Sequence, residues 1–219
     1  MITQSNNIQN KSDLNWGRFN SVFLIEVVRG GIVYTSTAVA IDKRTILTAA
    51  HSIDAAESVT LCLGHEYTVD SERIEANYWI INPGYNPSKS FYENDIAVVY
   101  LTEDLPVFTH YETISKNQNI DENSVLERVG YGGRDGRNIK TWTNPKYLST
   151  GFNLKNFMLK DCLSVIGDSG GPIFETTDSG HKLIGIHSTL EDNDKTYIVN
   201  LSSHHDWIFN LEMKEVAPY

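Results

Sequence analysis

Residues 22–48 read VFLIEVV (22–28), RGG (29–31), VYTSTAVAI (33–41), DK (42–43) and TILT (45–48). Short apolar and β-branched runs separated by glycine or charged turns are the signature of consecutive β-strands joined by hairpins. None of these runs is long enough, or spaced every three to four residues, to suit an amphipathic helix. The stretch therefore predicts three strands, Val22–Val28, Val33–Ile41 and Thr45–Thr48, and sets the fold class.

The same pattern extends outward. Strands are expected near Val59–Tyr67, Tyr78–Ile81 and Ile96–Leu101, with turns at Gly64-His65 and at Asn82-Pro83-Gly84-Tyr85-Asn86-Pro87. From Thr102 to Asn123 the chain is polar, contains Pro106 and shows no period, which suits a connector. Strands resume near Val125–Tyr131, Tyr147–Phe152, Phe157–Lys160, Pro172–Glu175, Leu183–Ser188 and Thr196–Leu201, and the loop Gly132–Asn138 is expected to be mobile. A final helix is capped by Ser202 or Ser203, with Trp207, Ile208 and Leu211 on one face. About six strands fall in each half, enough to close a small barrel. The expectation is an all-β protein of two antiparallel six-stranded β-barrels packed together with a C-terminal helix. The domains would span 1–110 and 111–219.

Composition narrows the function classes. Eighteen basic residues against 28 acidic ones give a net charge of −10, the wrong sign for nucleic-acid binding. No run of about 18 apolar residues is present to span a membrane as a helix. The segment Met1–Ser12 is polar and lacks the apolar centre of a signal peptide. A secreted or extracellular location is still expected, with delivery as an effector or an intracellular site as the alternative. Two cysteines, Cys62 and Cys162, do not make a disulfide framework, and they are expected to remain unbonded buried thiols.

Three short motifs carry chemistry. In Gly167-Asp168-Ser169-Gly170-Gly171-Pro172 the glycines free the backbone to turn tightly and present the serine hydroxyl. A hydroxyl is a poor nucleophile without a base to take its proton. Thr48-Ala49-Ala50-His51 places a histidine just after a strand, and Asn94-Asp95-Ile96-Ala97 places a carboxylate just before one. Singly, each has an ordinary reading as a glycine turn, a packed histidine or a turn-forming aspartate. Their joint occurrence in this order points to one nucleophilic centre.

At these residues the chain resembles the trypsin/chymotrypsin family of serine peptidases, and the resemblance covers nearly its whole length. Gly130-Tyr131-Gly132 and the terminal Trp207-Ile208 fit as well. The resemblance implies that Ser169 attacks the scissile carbonyl, His51 shuttles the proton and Asp95 fixes the imidazole tautomer. It implies an oxyanion hole from the N–H groups of Gly167 and Ser169. It also implies that Ser188-Thr189-Leu190 pairs with extended substrate as an added strand. Partners are a polypeptide substrate and protein inhibitors, the state is monomeric, and no cofactor or metal is required.

Some family features are absent. Ser52 and Val165 stand where paired cysteines are usual, and no Ile-Val-Gly-Gly start exists; Ile8 is a weak substitute. The resemblance to bacterial, non-zymogen members implies that Arg128 instead pairs with Asp168 to support the oxyanion hole. Leu163, six before the serine, argues against cleavage after lysine or arginine. His187 and Ser164 match glutamate-specific members, Lys195 lies near a wall position that is basic in some, and Leu190 would narrow the entrance. The expected preference is cleavage after glutamate or aspartate.

Two rival readings stand beside this one. Gly167-x-Ser169-x-Gly171 also satisfies the nucleophile elbow of α/β-hydrolases, but that fold needs strand–helix alternation and places its histidine after the serine. A protease-like binding module without catalysis is the other.

Overall fold

The computed structural model describes residues 19–88, 93–116, 120, 123–134, 137–150, 154–161, 163–178, 180–191 and 194–215. Strands β1 (Val22–Arg29), β2 (Ile32–Asp42), β3 (Thr45–Thr48), β4 (Ser58–Cys62), β5 (Arg73–Ile81) and β6 (Ala97–Leu101) form a closed barrel. Its order is β1-β2-β3-β6-β5-β4, and every described pairing is antiparallel.

The two-residue period of a strand explains why these strands are apolar on both faces. Along β1, Phe23, Ile25 and Val27 point into the barrel, where they meet Ala38, Ala40, Ile46 and Val99. The alternate residues Val22 and Leu24 belong to a second core shared with Val129, Phe174, Leu183 and Ile186 from the other half. Strands β2, β3 and β6 divide in the same way, through Val39, Leu47 and Val98 on the shared side. The interface between halves is thus a continuous apolar core.

The second half bears out the expected second antiparallel β-unit, as a curled half-barrel with one strand more than the six expected. Strands β7 (Val125–Gly130), β10 (Thr141–Thr143), β11 (Lys146–Thr150), β12 (Asn156–Lys160), β13 (Pro172–Thr177), β14 (Gly180–Glu191) and β15 (Lys195–Asn200) make one curled seven-stranded sheet. The extra strand β10 pairs with β7 over only three residues, too short and too polar in its surroundings to signal itself in sequence. Strands β8 (Gly133–Arg134) and β9 (Arg137–Asn138) pair with each other inside the loop expected to be mobile.

Element boundaries also move. The strand expected over Val59–Tyr67 stops at Cys62, because Gly64 takes φ +128°; beyond it, Tyr67 N–H donates to Asn138 O instead. The terminal helix is capped by Asn200, whose side chain accepts from Ser202 N–H at the head of a 3-10 turn, Leu201–His204. Helix α2 (His205–Glu215) follows, and Ile208 is buried in the shared core. A further one-turn helix, α1 (Ala50–Ile53), was not expected. Cys62 is free and buried, and burial together with Glu26 pushes its thiol up to about 12. Cys162, Ile8 and the end of the strand expected to reach Phe152 lie outside the described residues. Among the described residues no helix is long and apolar enough to cross a membrane.

Candidate active site

His51 sits in the single turn α1, directly after β3. The turn's carbonyls at His51 and Ser52 accept from Arg29 Nη2 at 3.2 and 3.1 Å, which fixes the ring's backbone from below. Asp95 precedes β6 and is fully buried. Its neighbour Asn94 adopts φ +57°, donates from Nδ2 to Gly84 O at 2.8 Å and has its Oδ1 3.2 Å from His204 Nε2.

Ser169 lies in the glycine turn before β13. Gly167 takes φ +99° and Gly170 φ +80°, conformations that strain any residue with a side chain. A Cβ at Gly170 would also run into Thr37 O and Thr48 Oγ1. The turn is tied to both halves. Ser169 O accepts from Thr37 N–H at 2.9 Å and from Ser36 Oγ at 2.7 Å, while Thr37 Oγ1 donates to Gly167 O at 2.8 Å. On the other side, Gly170 N–H donates to His187 O and His187 N–H to Gly171 O, each at 2.8 Å.

These restraints bring the three motifs together. His51 Nε2 is 3.0 Å from Ser169 Oγ, and His51 Nδ1 is 2.7 Å from Asp95 Oδ2. His51 N–H donates to the other carboxylate oxygen at 2.8 Å. An ionised carboxylate only accepts, so Nδ1 carries the proton and Nε2 presents its lone pair to the serine hydroxyl. Ser188, read from sequence as a substrate contact, donates its hydroxyl to Asp95 Oδ2 at 2.5 Å, and its carbonyl lies 3.3 Å from Ser169 Oγ. Asp95 therefore has three donors, which offset the desolvation of a buried charge. Among the described residues, the N–H groups of Gly167 and Ser169 donate to no protein acceptor.

A second ionic cluster lies beneath the turn. Arg128 is fully buried on β7 and pairs through Nε with Asp161; its Nη1 stands 2.8 Å from Asp168 Oδ2. That second contact is a fully buried ion pair. Burial opposes the guanidinium charge, but Asp168 and Asp161 hold Arg128 above its ordinary value. Asp168 also accepts from Gly132 N–H at 2.8 Å and Val165 N–H at 3.0 Å. Sequence reading paired Arg128 with Asp168 and missed Asp161, whose partner stands 33 positions away with no local motif to mark it.

Among the specificity candidates, Ser164 Oγ and His187 Nε2 meet at 2.6 Å. Burial, with Arg128 adding to it, pulls His187 down to about 4, so its ring is neutral at pH 7. Among the described residues its Nδ1 has no hydrogen-bond partner. The β14–β15 ladder skips between His187 and Leu190, so Ser188 and Thr189 stand at a bulge. Leu190 is exposed. Leu163 lines a separate cavity with Trp142, Asn144, Pro145 and Lys160. Lys195 stands opposite Glu191 in the register, not against His187. On the other side of Ser169, a groove is lined by Tyr34, Thr35, Ser36, Ser52 and Ile166. There Ser52 Oγ and Ser36 Oγ meet at 2.8 Å.

The sequence model of the trypsin family matches residues 20–208. The chain belongs to the trypsin family. It is accordingly a trypsin-like serine endopeptidase. Solved structures agree on the fold. A structure described as that of GrC has a TM-score of 0.75 at 16% identity, covering 89% of this chain and 95% of its own. A structure of HL collagenase has a TM-score of 0.73 at 18% identity, covering 92% and 95%. At such identities, the trypsin-family chain shares architecture with these relatives, while its pocket residues have to be read for themselves.

Proposed function

We propose that Ser169, His51 and Asp95 hydrolyse peptide bonds through an acyl-enzyme. The observation that carries this reading is the unbroken path Asp95–His51–Ser169, at 2.7 and 3.0 Å. Ser169 Oγ attacks the carbonyl carbon while His51 Nε2 takes its proton, and the imidazolium so formed is stabilised by Asp95. The tetrahedral oxyanion is received by the Gly167 and Ser169 N–H groups, each worth ~3 kcal/mol in the transition state. His51 returns the proton to the departing amine. A water molecule then repeats the sequence on the acyl-enzyme.

Arg128 supports this centre by holding Asp168, whose carboxylate fixes the Gly132 and Val165 N–H groups on either side of the turn. Substrate is taken as an added strand along the bulge at Ser188–Leu190. The proposed preference is for glutamate or aspartate before the scissile bond, recognised by His187 and Ser164. Arg128 with Asp161 and Asp168 sums to one negative charge, so recognition rests on hydrogen-bond donation rather than on net positive charge. The neutral imidazole and the hydroxyl have two hydrogens between them, one of which their mutual bond uses, so the pair offers one donor to the carboxylate, a bond worth ~1.5–3 kcal/mol. Extracellular action, a monomeric state, susceptibility to protein inhibitors and a division into domains at about residue 110 belong to the same proposal.

Cleavage-site mapping on an unstructured protein tests both layers. Wild type should cut mainly after glutamate or aspartate, and Ser169→Ala should abolish all cuts while leaving the circular dichroism spectrum unchanged. Cuts mainly after leucine, alanine or arginine would remove the acidic preference and leave the triad standing.

A further inference from the structure

The connector between the halves carries a cluster that peptide hydrolysis does not use. His110 and Glu112 stand two apart, and Tyr111 between them packs against the first-barrel core. Both are anchored through the backbone: His110 N–H donates to Asn20 Oδ1 at 2.9 Å, and Glu112 N–H to Ala40 O at 3.0 Å. His181, at the start of β14, arrives from the second half.

Glu112 Oε2 is 3.4 Å from His181 Nε2 and 3.9 Å from His110 Nε2, and one ligand atom from each residue lies within 4.8 Å of the others. The Glu112 side chain is only 2% exposed. Its second oxygen accepts from Ser21 Oγ at 2.5 Å, which fixes the carboxylate plane. The His181 ring is braced by Phe174, with centroids 4.7 Å apart, and by Phe19 at 6.1 Å.

We propose that His110, Glu112 and His181 form a zinc-binding site, with solvent as the fourth ligand. Two imidazole nitrogens and one carboxylate oxygen are a donor set that suits zinc and disfavours calcium or magnesium, which take oxygen ligands. Zinc bonds of about 2.0–2.1 Å in a tetrahedral site put ligand atoms roughly 3.4 Å apart. The His181–Glu112 pair already has that separation, and His110, 64% exposed, closes the rest by side-chain rotation. Ser21 acts as the outer partner that orients a ligating carboxylate. A buried carboxylate also needs positive charge nearby, which a divalent ion provides. The site joins the first barrel through Ser21 and Ala40, the connector through His110 and Glu112, and the second sheet through His181. Zinc bound there ties the connector to both halves, and it shares no residue with His51, Asp95 or Ser169.

The test uses the full chain, stripped of metal with a chelator and titrated with zinc chloride. Bound zinc is followed by equilibrium dialysis and unfolding by calorimetry. One zinc per chain should bind through this cluster and raise Tm by roughly 5–10 °C at a hundredfold excess over Kd, with no such effect of calcium. His110→Ala removes an exposed side chain, so the metal-free variant should unfold close to the wild-type Tm while its zinc affinity falls by about 100-fold. Ser21→Ala should weaken zinc by about 10-fold. His181→Ala should abolish zinc binding, and His110→Ala decides the matter even where loss of the ring against Phe174 unfolds that variant. A wild-type Tm indifferent to zinc, or an affinity unchanged by His110→Ala, overturns the site.

Discussion

Two buried ionic clusters flank the Ser169 turn, and they are built on opposite terms. Asp95, just before β6 of the first barrel, receives His51 N–H, His51 Nδ1–H and the Ser188 hydroxyl from β14, so both its oxygens are engaged and one imidazole orientation is enforced. On the second-half side, Arg128 faces the two carboxylates of Asp161 and Asp168, and among the described residues neighbouring His187 has no partner at Nδ1. The first cluster is satisfied and its job is to hold a ring still. The second holds a fully buried guanidinium between two carboxylates and leaves one imidazole nitrogen without a described partner.

The largest effect should come from disturbing the satisfied cluster. Asp95→Asn preserves shape but offers a donor to His51 Nδ1, which favours the wrong tautomer; kcat should fall by about 10⁴-fold with little change in KM. A fall of less than tenfold would mean that Asp95 does not orient the ring.

The next effect should be on stability. Arg128→Met leaves Asp161 and Asp168 buried without their cation, and urea unfolding should show a loss of about 3–5 kcal/mol. Activity should fall as well, because Asp168 then loosens its hold on Gly132 and Val165. A loss under about 1 kcal/mol would show that the guanidinium is not the keystone of the second cluster.

How far these contrasts were legible in sequence follows from range. His51, Asp95 and Ser169 each sit in a motif of four to six residues whose local chemistry is visible, and their order completes the inference. The barrel strands were legible because alternate residues such as Phe23 and Leu24 serve two different cores, leaving long apolar runs. Asp161, the Ser36–Ser52 pair and the His110–Glu112–His181 cluster were not legible. Each depends on a partner far away in the chain that only the fold brings near. The seventh strand of the second half was missed for a related reason, since β10 exists through its three-residue pairing with β7 rather than through its own composition.

A smaller effect distinguishes the clusters by pH. His187 is held at about 4 in the fold against an ordinary 6.5, so between those values the unfolded chain binds more protons than the native one. Its contribution to stability is complete above about pH 6.5 and is lost as pH falls through 4, amounting to about 3 kcal/mol over the window. His187→Gln should remove that component, so the wild-type-minus-variant stability difference should shrink steadily from pH 6.5 to pH 4. A difference that stays flat would show that His187 is not buried as described. The smallest effect should be at Ser188→Ala, which removes one of three donors to Asp95 and should cost about 1.5 kcal/mol in kcat/KM.

The central claim is that His51 activates Ser169. It is tested most directly by exposing the folded protein to an active-site phosphonylating reagent and locating the adduct by peptide mass spectrometry. The account predicts one phosphonyl group per chain, on Ser169, formed rapidly in wild type and not in His51→Ala. An unmodified Ser169, or one modified equally fast without His51, would contradict it.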